Sequence, residues 1–426
     1  MIVNVIRVIK QRLERIWRFL RAYSQHLPLA LSYVLAMPCV VTTLQGRLRG
    51  REERFTVLYA GRRKNDTYLL NLMFEDYVEL EKVNSTLLTF TPHLHRMAAA
   101  ADVVIVDIGW PYHGLVNRRG EYLEIPDWIR MTIELPPVWE DVVRNFRQTT
   151  RNNDLRLIRR NGYRAGFTTE RAAVETFYDT MYLPFVTHKH ASGSIVASRR
   201  QVLRQASKGQ LLQVLRGDEV IVAGVICASD DILYFLWMGI APAHLDSPPE
   251  GAISALYLFG IRYAFDNQCT TVDFTGTRAF LGDGAFRFKR KWGAMVEDTF
   301  SPSSILLRPQ PGSGKGARFC ERLPSLARRS GRLEAMFVSV DKPADGATVA
   351  RLKKEYGCNG LEYINLIGIS DKNATRSLLI DADGCQSRLI DSSLDRFTEN
   401  YIARPSNIAP ATDAVVSTGI AVSGPE

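Results

Sequence analysis

The stretch Gly251–Gly293, GAISALYLFGIRYAFDNQCTTVDFTGTRAFLGDGAFRFKRKWG, constrains the fold of this chain more than any other. Its apolar spacing predicts a helix over 251–267, opened by Pro248-Pro249-Glu250-Gly251. A short β-branched run then predicts a buried strand, Thr271–Thr275, carrying Asp273. A glycine-broken loop follows and delivers Phe288, Lys289 and Trp292. Three strands precede the helix in a meander, over 211–216, 220–229 and 232–240, with turns at Gly217-Asp218 and Asp230-Asp231. A meander, a helix and a further strand describe a mixed α/β sheet.

The chain has 426 residues, which predicts two or three domains. The spacing over residues 2–22 predicts a basic amphipathic helix, with six Lys or Arg against the single acid Glu14. Such a helix can lie on an anionic membrane surface through Met1–Ala22, or dock on its own domain or a partner. Pro28 and Pro38 interrupt the apolar segment 27–41, so no spanning helix is expected. Strands are expected at 55–59, 68–72, 101–110 and 131–135. One long basic helix is expected over 138–161, with Arg144, Arg147 and Arg151 on one face. An aromatic-rich helix over 171–188 and a short helix over 198–206 follow. The predicted organisation is 1–45, the basic helix and apolar segment; 46–137, a first half; 138–308, a second half; 309–403, a small α/β region; and 404–426, a disordered tail.

A formal net charge of +9 favours anionic partners. The six cysteines are scattered without metal-ligand spacing, which argues against zinc and for a reducing, cytoplasmic compartment. A peripheral place on the inner face of the membrane goes with the basic helix.

The order of elements over 138–308 resembles the core of the Gcn5-related N-acetyltransferase superfamily. It is more closely similar to the FemAB-like and BioF2/CelD-like acyltransferase branch. The residues carrying the resemblance are WEDVVRNFRQTTRNNDLRLIRRNG (139–162), FYDTMYLPFVTHKH (177–190), and the V-D-F-T-G-T and F-x-F-K-x-x-W-G motifs within 251–293. Residues 54–137 match a divergent first half of a tandem arrangement, and 310–426 are not covered. The resemblance implies a mixed-sheet Gcn5-like fold of two tandem related halves. It implies acyl transfer from acyl-CoA or a similar thioester to an amine on a small molecule or glycolipid, without a metal, in envelope or exopolysaccharide synthesis. An aminoacyl-tRNA donor acting on a peptidoglycan precursor, which would make tRNA a partner, is one alternative. A non-catalytic membrane- or partner-binding protein is another.

Such chemistry needs an oxyanion stabiliser, a base and a place for the donor. Gly239 can bend or bulge strand 232–240 and free backbone N–H groups. Gly251 and Ala252 offer a bare helix start for donor phosphates. The segment before them, Leu245-Asp246-Ser247-Pro248, lacks the R/Q-x-x-G-x-G/A fingerprint of the family. Phe288 and Lys289 match the F-K pair of FemAB-like enzymes; the alternative is a lysine on a solvated basic face, Arg287–Lys291. Asp273 can serve as base or orienter, or as a structural acid. His188 and His190 can take the amine proton, or be surface histidines.

Overall fold

The computed structural model describes residues 38–48, 52–61, 66–86, 89–108, 112–189, 196–299, 303–312, 314–329, 331–340, 342, 344–369, 375–380 and 386–402. The expected helix 2–22, His190 and the expected tail lie outside these residues.

Three mixed sheets with flanking helices make up an α/β fold. The first holds β1 (Pro38–Leu48), β2 (Arg54–Gly61), β3 (Phe74–Thr86), β4 (Val103–Ile108), β5 (Leu123–Pro126) and β13 (Ser304–Pro309), in the order β3-β1-β2-β4-β13-β5. β4, apolar but for Asp107, is buried at every position, as an inner strand flanked by β2 and β13. The second holds β6 (Ile129–Glu134), β7 (Arg164–Thr168), β8 (Gln210–Arg216), β9 (Glu219–Ser229), β10 (Ile232–Ile240), β11 (Thr271–Thr277) and β12 (Met295–Asp298), in the order β12-β6-β11-β10-β9-β8-β7. The third holds β14 (Ser325–Arg329), β15 (Arg332–Ser339), β16 (Leu361–Ile369), β17 (Thr375–Ile380) and β18 (Gln386–Ser392), in the order β14-β15-β16-β18-β17.

The first two sheets exchange strands. β6 leaves the first run of strands and inserts between β11 and β12, while β13 returns from the second run to insert between β4 and β5. Each sheet also has an antiparallel set joined to its next strand by one parallel pair, β2 with β4 and β10 with β11. The first two sheets thus share one strand arrangement. The third sheet is tied to both others by Arg328, which donates to Asp298 at 2.6 and 2.7 Å, and to Glu124 and Ser304 at 2.8 Å.

Several elements differ from the sequence expectation. Residues 66–73 form a helix, not a strand, because Leu69, Leu70 and Met73 bury one helical stripe. The basic helix over 138–161 is broken. Trp139–Asn145 ends at Phe146, whose extended backbone turns its ring edge-on to Trp292 at 5.1 Å. A π-turn at Thr150–Asp154 then leads into Leu155–Arg160. Arg144, Arg147 and Arg151 therefore do not share a solvated face. Arg147 donates to the carbonyls of Lys354 and Gly357, at 3.0 and 2.9 Å, and Arg151 to that of Arg144. The glycine-broken loop contains a two-turn helix, Gly284–Arg290, whose N-cap Asp283 accepts from the amides of Ala285 and Phe286.

Candidate active site

Alternation along β6 prepares the site. Ile129, Met131 and Ile133 are buried in the core, which turns Arg130 and Thr132 to the other face. Cross-strand pairing sets Thr132 opposite Asp273 of β11, Arg130 opposite Glu297 of β12, and Tyr234 of β10 opposite Asp273. A polar row therefore crosses four strands on one face. On the other face Phe235 and Phe274 pack with Tyr257 of helix Ala252–Asp266, at 5.2 and 5.0 Å between ring centroids. Gly260 admits the Phe235 ring where a Cβ would clash.

Asp273 is buried and both of its oxygens are engaged. Arg130 Nε donates to Oδ2 at 2.6 Å, and the Thr275 amide to Oδ1 at 2.7 Å. Burial works to lower the Arg130 pKa, but Asp273 and then Glu297 outweigh it and raise the value overall. Glu297 is the less committed acid. Thr132 Oγ1 donates to it at 2.7 Å, Arg130 Nη1 lies 3.6 Å away, and its side chain is 41% exposed.

The parallel pair β10–β11 holds only from Ile232 to Tyr234 against Thr271 to Asp273. Beyond it the strands part. On one side β10 carries a bulge between Phe235 and Trp237. On the other, β11 has a register break against β6 after Asp273, with Thr275 at φ +62°. Lys289, from helix Gly284–Arg290, holds this bend by donating to the carbonyls of Gly276 and Thr275 at 2.9 and 3.5 Å. It is only 6% exposed, and burial pushes its pKa down to about 8 against the opposing pull of Asp273 and Asp283.

The sequence-derived site residues meet different fates. Asp273 and Lys289 both act on the bend of β11: Lys289, on no solvated face, donates to the carbonyls of Thr275 and Gly276, and both oxygens of Asp273 already accept hydrogen bonds. The bulge in β10 falls at Leu236, not at Gly239, which pairs in register with Ala223. Gly239 instead lets β10 touch the backbone of the π-turn Phe177–Tyr182, since a Cβ there would lie 2.5 Å from the Met181 carbonyl carbon. Gly239→Ala is expected to destabilise the fold by about 2 kcal/mol, read as a lower urea midpoint at unchanged slope.

Gly251 and Ala252 do not make an open anion cradle. Gly251 sits at φ +81°, where an added Cβ would lie 3.1 Å from Leu157 Cβ, Ala252 is fully buried, and the Ala252 amide donates to Pro249 O at 3.1 Å. The carboxylate of Asp154 already stands at this helix start, accepting from Ser254 Oγ at 2.7 Å and Lys291 Nζ at 2.8 Å. Phe288 packs edge-on to Tyr257 at 4.9 Å, under the Lys291 ammonium at 4.1 Å, as part of the aromatic core. His188 is exposed and pairs with Asp246 at 3.3 Å. Sequence reasoning missed Arg130, Thr132, Tyr234 and Glu297. The alternation of β6 was the available signal for the first two.

No family profile and no curated protein sequence matches this chain. Among solved structures it is similar to FemX, at 12% identity and a TM-score of 0.32, covering 62% of this chain and 83% of that one. It is similar to L-PGS from Bacillus licheniformis at 11% identity and 0.31, covering 62% and 82%. It is also similar to a GCN5-related N-acetyltransferase from Sphaerobacter thermophilus at 12% identity and 0.29, covering 59% and 71%. Superpositions this loose leave the functional reading to the chain's own geometry. Among the described residues no helix is long and apolar enough to cross a membrane, and no group of acidic, His and Cys residues is placed to hold a metal ion.

Proposed function

We propose that this protein transfers an acyl group from a thioester donor to an amine acceptor, at the point where β10 and β11 part. The observation that carries the reading is that parting, with the bulge at Leu236 on one side and the Lys289-held bend on the other. It leaves strand backbone from two edges facing one gap, suited to an extended, amide-bearing donor arm. The amine nitrogen attacks the thioester carbonyl carbon, the C–N bond forms, and the C–S bond breaks with loss of a thiol. A peptide N–H of the bulged segment of β10 steadies the oxyanion. Glu297 takes the proton from the attacking nitrogen and returns it to the departing thiolate, while Arg130 and Asp273 hold the row in place. Lys289 is a positioning residue that fixes the shape of β11.

The donor's diphosphate has no cradle at the start of helix Ala252–Asp266, where Asp154 already stands. The acyl arm, rather than a nucleotide, is therefore the recognised part. The test is a thermal shift with acetyl-pantetheine, acetyl-CoA and an aminoacyl-tRNA, followed by transfer assays on an amine panel. Equal stabilisation by the two thioesters is expected, with Glu297→Gln lowering transfer by about 10²-fold or more at unchanged thioester affinity. Stabilisation by aminoacyl-tRNA alone would move the reading to an aminoacyl donor. No response to any donor would remove the enzymatic reading.

A further inference from the structure

Arg290 ends the same helix as Lys289 but turns to the opposite side, toward the third sheet. It is 8% exposed, and its Nε and Nη1 are buried without a hydrogen-bond partner among the described residues. Its guanidinium carbon lies 5.9 Å from the ring centre of Tyr356, at the end of helix Gly346–Tyr356. The ionisable groups acting most strongly on it are Arg147, Cys358, Arg287 and Tyr356, and among the described residues no carboxylate forms an ion pair with it. Arg147 has no acid partner among the described residues and donates to the carbonyls of Lys354, Glu355 and Gly357. Burial, then Arg147, depresses the Arg290 pKa to about 10. It stays protonated at neutral pH, so a buried cation faces an aromatic ring and, among the described residues, no acid.

Such an arrangement costs stability unless an anion completes it. The walls are fixed: the Val296 amide donates to Asn359 O at 2.9 Å, the Arg147 amide to Lys291 O at 3.0 Å, and Gly360 is wedged against Val296. Cys358, half-buried, and Arg287, exposed, leave a way in from solvent. We propose that Arg290, Arg147 and the 357–360 turn form a binding site for a small oxyanion of the phosphate, sulfate or carboxylate type. Guanidinium donors suit such anions. The site is separate from the proposed acyl-transfer site, and its occupancy would lock the helix that carries Lys289 onto the third sheet.

The test compares the full chain with Arg290→Met in dilute HEPES and with added phosphate, sulfate or acetate. Without oxyanion the variant is expected to be at least as stable as the wild type, since it removes an unpaired buried charge. With oxyanion the wild type is expected to gain about 3 °C in Tm at a hundredfold excess over Kd, saturably, and the variant not. The arm with the greatest gain identifies the anion type. Equal gains in both proteins, or none in either, would overturn the site. If the variant does not fold, alkylation of the wild type decides: phosphate should slow iodoacetamide at Cys358 and leave Cys227 unchanged. Equal Cys358 rates with and without phosphate would overturn it as well.

Discussion

Asp273→Ala should lower stability by about 3 kcal/mol and abolish acyl transfer, whereas Glu297→Gln should impair transfer alone. The difference follows from what each acid touches. Asp273 is 4% exposed and holds two donors from two strands, Arg130 Nε and the Thr275 amide. Removing its carboxylate leaves a guanidinium without its nearest counter-charge and frees the bend at Thr275, where a non-glycine residue sits at φ +62°. The bend in turn sets the width of the gap between β10 and β11. Glu297 is partly exposed and receives one hydroxyl, so its loss strands little. Urea unfolding of both variants beside their transfer rates checks the pair. A fully stable Asp273→Ala protein would show that the Arg130–Asp273 contact does not hold the bend. A transfer rate unchanged by Glu297→Gln would remove Glu297 as the base.

How much of this was legible in the sequence depends on the range of the interaction. The meander over 210–240 and helix 252–266 follow from local periodicity, and each lies within a residue or two of its expected span. The helix 284–290 was hidden because glycines at 282 and 284 read as loop. Yet Asp283 is an N-cap, and the buried positions Phe286, Lys289 and Arg290 follow at helical spacing. The Arg130–Asp273 bond spans 143 positions in sequence and rests on β6 crossing into the other sheet, so no local pattern announces it. The same exchange explains why the partners of β4 and β11 could not be assigned from the chain order. The fates of Lys289 and Arg290 were opaque for another reason. A basic run, RFKRK, reads as a solvated face, but burial is decided by β11 on one side of the helix and the 357–360 turn on the other.

The burial of Lys289 has a pH signature that a solvated lysine would lack. The folded chain releases this proton at about pH 8, while the unfolded chain keeps it to 10.5. Between those values the unfolded state binds more protons, so stability rises with pH. Below pH 8 both states are charged and the full cost of burying the ammonium is present. Above 10.5 both are neutral and the cost is gone. The rise amounts to about 3 kcal/mol across the window. The neutral amine still carries two protons for the carbonyls of Thr275 and Gly276, so the bend of β11 survives deprotonation. Lys289→Met should flatten this rise relative to wild type while losing both carbonyl bonds, measured as urea stability at pH 7.5, 9 and 10.5. An identical slope in the two proteins would place the lysine in solvent and return it to the role of a mobile charge. A flattened slope together with slower acyl transfer at unchanged thioester affinity would tie the shape of β11, rather than the charge of Lys289, to the chemistry.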